Sequence, residues 1–305
     1  MDARHVPVLL AESIAWLAPE RGGTFVDATL GLGGHAEALL ETAPEASLLG
    51  IDRDPEALEL ARHRLERFAS RVELVLGEFR DLERLAAHRA PVAGVLADLG
   101  VSSLQLDTGR RGFAFRHEGP LDMRMGRAGR TAAELVNEAS EAELTEIFFR
   151  FGEEPEARRV ARAVVAERER TPIETTTALA EVVRRAKRTR AGEMRTDPAT
   201  RVFQALRIAV NEELDQVSEL LDQAVRLLDR DGRLVVISYH SLEDRIVKNR
   251  LRDLGRGEVD AVTGRTLSET RVLEVLTRKP VRPTPAEVEA NPRARSARLR
   301  AARRL

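Results

Sequence analysis

Three of the four apolar runs in the first hundred residues close on an aspartate, and helix-forming stretches separate the runs. Thr24-Phe25-Val26-Asp27-Ala28, Leu48-Leu49-Gly50-Ile51-Asp52, Val72-Glu73-Leu74-Val75-Leu76 and Gly94-Val95-Leu96-Ala97-Asp98 read as strands. His35 to Thr42 and Pro55 to Phe68 have helical spacing. Strand–helix–strand alternation implies a parallel sheet with helices on both faces, because parallel strands need a crossover that packs back onto the sheet.

The pattern changes from about Thr131 to Leu206, where helix signals dominate. Thr131-Ala132-Ala133-Glu134 and Ser140-Glu141-Ala142-Glu143 have capping-box spacing. Asp197-Pro198 predicts a helix start, with a long amphipathic helix running to about Leu228. Arg233 to Ser238 is a fifth strand, Ser241 is placed as the cap of the helix that follows, and strand character returns at Val272 to Leu276. A doubly wound α/β domain interrupted by a helical insertion is the simplest architecture. No run approaches the eighteen or so apolar residues of a membrane span, and the N-terminus lacks a signal-peptide pattern. A cytoplasmic protein without a membrane partner is expected.

The turn after the first strand, Asp27-Ala28-Thr29-Leu30-Gly31-Leu32-Gly33-Gly34-His35, carries glycines where such sheets admit a nucleoside. Alone it reads equally well as an empty tight turn. Asp52 lies nineteen residues after Gly33, near the spacing at which an acid meets ribose hydroxyls. The glycines do not follow the dinucleotide G-x-G-x-x-G pattern. The acid at Asp27 suits a donor that is cationic at sulfur and has no phosphate, so S-adenosylmethionine is the better fit and a nicotinamide oxidoreductase the alternative. Asp98, followed by Leu99-Gly100-Val101, ends the fourth strand. There a carboxylate and a carbonyl can accept hydrogen bonds from an exocyclic amino group and align its nitrogen for attack; an ordinary capping acid is the plainer reading.

The chain contains no cysteine. Disulfides, zinc–thiolate sites and the thiolate attack that activates carbon-5 of a pyrimidine are therefore excluded; nitrogen methylation needs none of them. No metal-ligand spacing is visible, and no metal is expected. Net charge is −1, but Arg293 to Leu305 holds six arginines without an acid, and Arg184-Arg185-Ala186-Lys187-Arg188-Thr189-Arg190 forms a second basic run. Both are expected to meet phosphates, with a solvated face as the alternative.

Colinear strings along nearly the whole chain resemble the bacterial small-subunit ribosomal RNA cytosine-N4 methyltransferase family. They are His5-Val6-Pro7-Val8-Leu9-Leu10, the Gly33-Gly34-His35 loop, Ile51-Asp52-Arg53-Asp54, Asp98 to Asp107, Arg111-Gly112-Phe113 and Gly119 to Met125. Ser238 to Lys248 and Asn291 to Ser296 complete the set. The resemblance implies a class I methyltransferase-like doubly wound sheet of residues 1–105 and 207–305, with an all-helical insertion of 106–206 for RNA recognition. It implies S-adenosylmethionine as cofactor, held by Gly33, Gly34, His35, Asp52, Phe79, Asp98 and Gln105. The implied substrate is a cytidine in the decoding region of 16S ribosomal RNA in the small subunit. Apolar faces on the inserted helices would suit a homodimer. DNA-modifying amino methyltransferases carry Pro-Pro-aromatic after the acid, where this chain has Leu99-Gly100-Val101. The aromatic platform for the base must then come from Tyr239, Phe113 or Phe115. Asp98, Tyr239 and His240 are the expected catalytic residues, although His240 reads equally well as a buried structural histidine.

Overall fold

A computed structural model describes residues 7–101, 109–115, 118–126, 129–187, 197–258, 263–264 and 266–305. These fall into two compact units, one of residues up to 100 and from 214 onward, the other of residues 101–213.

The first unit is built on a seven-stranded sheet. Its strands are β1 (Gly23–Asp27), β2 (Ala46–Asp52), β3 (Val72–Leu76), β4 (Val92–Asp98), β5 (Leu228–Ser238), β6 (Leu273–Val275) and β7 (Arg298–Arg304), in spatial order β3-β2-β1-β4-β5-β7-β6. The first five are mutually parallel, and β7 runs antiparallel between β5 and β6. Alternate residues feed two cores. Val26, Leu49, Val95 and Val236 pack under α4 (Leu82–Ala86), α10 (Glu213–Leu227) and α11 (Ser241–Arg256). Phe25, Leu48, Leu96 and Val235 pack under α1 (Leu10–Leu17), α2 (Gly34–Thr42) and α3 (Pro55–Arg64). Burial on both faces explains why these strands read as continuous apolar runs and not as alternating ones.

The second unit holds α5 (Ala132–Glu138), α6 (Glu141–Gly152), α7 (Ala157–Arg168), α8 (Thr176–Ala186) and α9 (Thr200–Asn211) around Leu144, Phe148, Val160, Leu179 and Leu206. The capping box at Thr131 and Glu134 forms, and the Ser140 side chain accepts from the Glu143 amide. Among the described residues, no helix is long and apolar enough to cross a membrane.

Three sequence expectations are corrected. The single helix expected from Pro198 to Leu228 is two, because Glu212 takes a left-handed conformation (φ 50°). Asn211 drives that break. Its amide donates to the Met123 carbonyl and accepts from the Met125 amide, tying the helix end to a passing segment. The residue capping α11 is His240, not Ser241, and Glu243 completes the box.

Neither basic run is a free phosphate face. Arg184 pairs with Asp197, Arg185 with Glu167, and Lys187 is buried against Glu154 at 2.6 Å; residues 188–190 lie outside the described set. The C-terminal run is strand β7. Arg300 is buried with its guanidinium across Asp244 of α11, and Arg303 pairs with Asp231 and Glu274. Among the arginines of that run, Arg293 and Arg295 are exposed.

The Asp244–Arg300 pair is enclosed, with side-chain exposures of 14% and 6%. Removing one partner leaves a buried charge uncompensated, so Asp244→Ala should cost roughly 3–5 kcal/mol in urea unfolding. A loss below about 1 kcal/mol would contradict this reading.

Candidate active site

The strand order reverses between β1 and β4, which opens a crevice at their carboxyl ends. Asp27 ends β1, Asp98 ends β4 and Asp52 ends the neighbouring β2. Parallel pairing in register makes the three acids converge on one edge.

The turn after β1 is held by these acids. Asp27 Oδ1 accepts from the Thr29 amide at 3.2 Å. Asp52 Oδ2 accepts from the Gly31 amide at 2.8 Å, and its Oδ1 from the Asp54 amide at 2.9 Å. Thr29 reaches the other way, its hydroxyl accepting from the Asp98 amide at 2.6 Å. The Leu99 amide donates to the Ile237 carbonyl of β5 at 2.9 Å, so the Asp98 backbone is clamped on both sides.

Tyr239, the first residue past β5, donates its hydroxyl to Asp98 Oδ1 at 2.8 Å. The other carboxylate oxygen of Asp98 lies 3.9 Å from Nδ1 of the buried His35, whose Nε2 is 3.1 Å from the Val8 carbonyl. A carbonyl can only accept, so that nitrogen carries the proton. The Asp98 side chain keeps a quarter of its surface exposed. The crevice therefore offers one carboxylate oxygen held by a phenol and another turned toward His35.

Charge in the crevice is unbalanced. Burial, aided by the charges of Asp98 and Asp52 and opposed by the Thr29 amide, pushes the Asp27 carboxyl up to about 7. Burial likewise lifts Asp98 to about 7; the Tyr239 hydroxyl opposes the rise and Glu243 adds to it. Asp52 is raised by burial, partly offset by the two amides it holds. Tyr239 is raised well above the usual phenol range by burial and by Asp98. A cation placed among these acids would be attracted to all three.

Asp98, Tyr239, Asp52, Gly33, Gly34 and His35 thus meet at one edge. Phe79 follows β3 there, half-buried against the Leu82 and Leu85 side of the core, and the Gly77 amide beside it donates to the Asp52 carbonyl. Gln105 lies outside the described residues. His240 is engaged within its own helix cap, where Nδ1 accepts from the Glu243 amide at 3.4 Å and Nε2 lies 3.1 Å from Glu243 Oε1. Phe113 and Phe115 are packing residues of the helical unit, Phe113 buried and Phe115 edge-on to Phe203 at 4.7 Å.

The glycines divide in an unexpected way. A side chain on Gly34 would come within 2.4 Å of the Pro7 ring, whereas one on Gly31 (φ 52°) would meet only the Thr29 carbonyl, at 3.9 Å. Gly34 is small for packing, and Gly31 is the position that leaves room for a ligand. Sequence reasoning did not single out Thr29, Gly31 or Glu243 as site residues. Thr29 and Gly31 sit inside the Asp27–His35 turn, and Glu243 is concealed when Ser241 is taken as the cap.

This sheet order, with a glycine turn after the first strand and acids at the switch point, defines a class I methyltransferase. The chain belongs to the MraW methylase family, which it matches over residues 2–305. Two relatives are both named ribosomal RNA small subunit methyltransferase H. That of Bradyrhizobium diazoefficiens is 50% identical over 99% of this chain and 92% of its own. That of Geotalea uraniireducens is 47% identical over 100% and 99%. Among solved structures, an rRNA methylase from Streptococcus thermophilus covers 96% of this chain and 95% of its own, with a TM-score of 0.45 and 12% identity. The nicotinamide oxidoreductase alternative falls with the family assignment.

Because Pro7 is rigid, Gly34→Ala should destabilise the protein by about 1–3 kcal/mol, as overpacking does. Thermal unfolding checks this; an unchanged midpoint would show that the N-terminal segment yields freely.

Proposed function

We propose that this enzyme transfers a methyl group from S-adenosylmethionine to the exocyclic N4 amino group of a cytidine in the decoding region of small-subunit (16S) ribosomal RNA, in the cytoplasm. The observation that carries the chemistry is the Tyr239–Asp98 hydrogen bond at the switch point of the sheet.

The crevice fits the cofactor. Each Asp52 oxygen takes one backbone amide and keeps lone-pair capacity for the vicinal ribose hydroxyls. Gly31 leaves room beside it, and Phe79 offers an apolar ring for adenine. Gly33, Gly34 and His35 line the turn, and Gln105 joins them on the family resemblance alone. Asp27 and Asp98, both poised near neutrality, suit a positive charge between them. When bound, the cofactor supplies an electrophilic methyl group on a sulfonium.

The residues of this chain prepare the nucleophile. A cytosine amino nitrogen has its lone pair delocalised into the ring and attacks poorly. Asp98, with the Leu99 carbonyl, would accept the amino hydrogens and favour a pyramidal, more nucleophilic nitrogen. Tyr239 fixes one oxygen of Asp98 and leaves the other for the substrate. Transfer would exchange the sulfur–methyl bond for a nitrogen–methyl bond, leaving a neutral thioether, and the Asp98 carboxylate would accept the surplus proton on nitrogen. His240 supports the site as a cap.

The base must leave its stack to reach this depth, and the Tyr239 ring, half-buried at the same edge, is the aromatic nearest the acceptor. Exposed arginines such as Arg295 can meet RNA phosphates, and we assign RNA recognition to the helical unit.

Incubation with labelled S-adenosylmethionine and unmethylated small subunits, followed by nucleoside mass analysis, should give N4-methylcytidine. Asp98→Ala should lower transfer by at least ~100-fold while RNA binding persists. Label on a ribose or a purine, or undiminished transfer by the variant, would overturn the proposal.

A further inference from the structure

Glu243 is the third residue of α11 and is 1% exposed. In an ordinary capping box the glutamate accepts the amide of the capping residue at the protein surface. The Thr131 box is of that kind: Glu134 is exposed and accepts the Thr131 amide at 2.7 Å. Glu243 differs in burial and in reach. Its Oε2 accepts from the Tyr239 amide at 2.8 Å as well as from the His240 amide at 3.3 Å. Its Oε1 lies 3.1 Å from His240 Nε2. A buried carboxylate is costly, and a cap alone does not require one.

The residue Glu243 grips outside the cap is the one whose hydroxyl binds Asp98. Tyr239 has just left β5, so strand pairing no longer fixes its backbone. The Glu243 carboxylate sets the orientation of that peptide, and with it the direction in which the phenol projects. We propose that Glu243 is a positioning residue for methyl transfer: by clamping the Tyr239 and His240 amides it aims the Tyr239 hydroxyl at Asp98. This rests on the role given to Asp98 above. The negative charge of Glu243 also reaches the site, raising both Asp98 and Tyr239.

Two variants separate reach from charge. Glu243→Asp keeps the charge but is one methylene too short; Glu243→Gln keeps the reach and an acceptor oxygen but loses the charge. If Glu243 acts by position, Glu243→Asp lowers kcat about 10- to 100-fold with KM for S-adenosylmethionine and for small subunits unchanged, and Glu243→Gln restores most of the rate. The chain has a single tyrosine, so carbon-13 at its ζ position gives one resonance that reports the hydroxyl hydrogen bond. That line should move in Glu243→Asp and stay in Glu243→Gln. Adding Glu243→Asp to Tyr239→Phe should cause no further loss, because Glu243 acts through the hydroxyl that Tyr239→Phe removes.

A wild-type kcat in folded Glu243→Asp, multiplicative losses in the double variant, or an unmoved tyrosine line would overturn the inference. So would the reverse order, in which the Gln variant is impaired and the Asp variant is not. Asp98→Ala run alongside isolates the cause: if it is inactive while Glu243→Asp is normal, only the Glu243 inference fails. If it is active, the underlying reading fails first.

Discussion

Three aspartates that end neighbouring parallel strands must share one crevice, and burial there works against the charge of each. Asp27, Asp52 and Asp98 are brought together by strand register. Backbone amides neutralise Asp52 in part, and Asp27 holds only the weaker Thr29 contact. Asp98 relies on a phenol. A fold that needed only stability would not hold two carboxyls near neutrality in its interior. The arrangement suits a ligand that arrives with positive charge.

The rest of the first unit secures this edge. Thr29 joins the β1 turn to the Asp98 backbone, and β5 binds Leu99 from the other side. The cap of α11 fixes Tyr239, and Asp244 in the same first turn pins β7 through Arg300. One helix start therefore serves both the edge that holds Asp98 and the closing strand. The arginines of β7 hold the sheet together, and the negative crevice is not diluted by them.

Much of this was legible in the sequence, for reasons that differ element by element. Strands β1 to β5 announced themselves because burial on both faces demands unbroken apolar runs, and their terminal acids marked the functional edge. Strand β7 was hidden. Arg298, Arg300, Arg303 and Arg304 read as a solvated or RNA-facing run, and only tertiary partners such as Asp244 and Glu274 make a strand of them. The break at Glu212 carries no glycine or proline; its cause is the long-range grip of Asn211 on the Met123–Met125 backbone. Ser241 looked like the cap because serine is the commoner capping residue, yet the His240 ring fills that place and draws Glu243 inward. Gly34 looked like a ligand-facing glycine, and its neighbour Pro7 lies twenty-seven residues away in the chain.

A crevice lined by these acids favours a sulfonium over a neutral sulfur, and proton linkage reads that preference. Asp27 and Asp98 each titrate near pH 7 in the free protein. A cation bound between them favours their ionised forms and lowers both values, so binding at neutral pH must release protons and tighten as pH rises through that range. S-adenosylhomocysteine shares the adenosine, amine and carboxylate but has a neutral sulfur. Calorimetry of both ligands at pH 7, in buffers of different ionisation enthalpy, should show more protons released with S-adenosylmethionine than with S-adenosylhomocysteine. Equal proton counts for the two would show that the acids do not respond to the sulfonium charge.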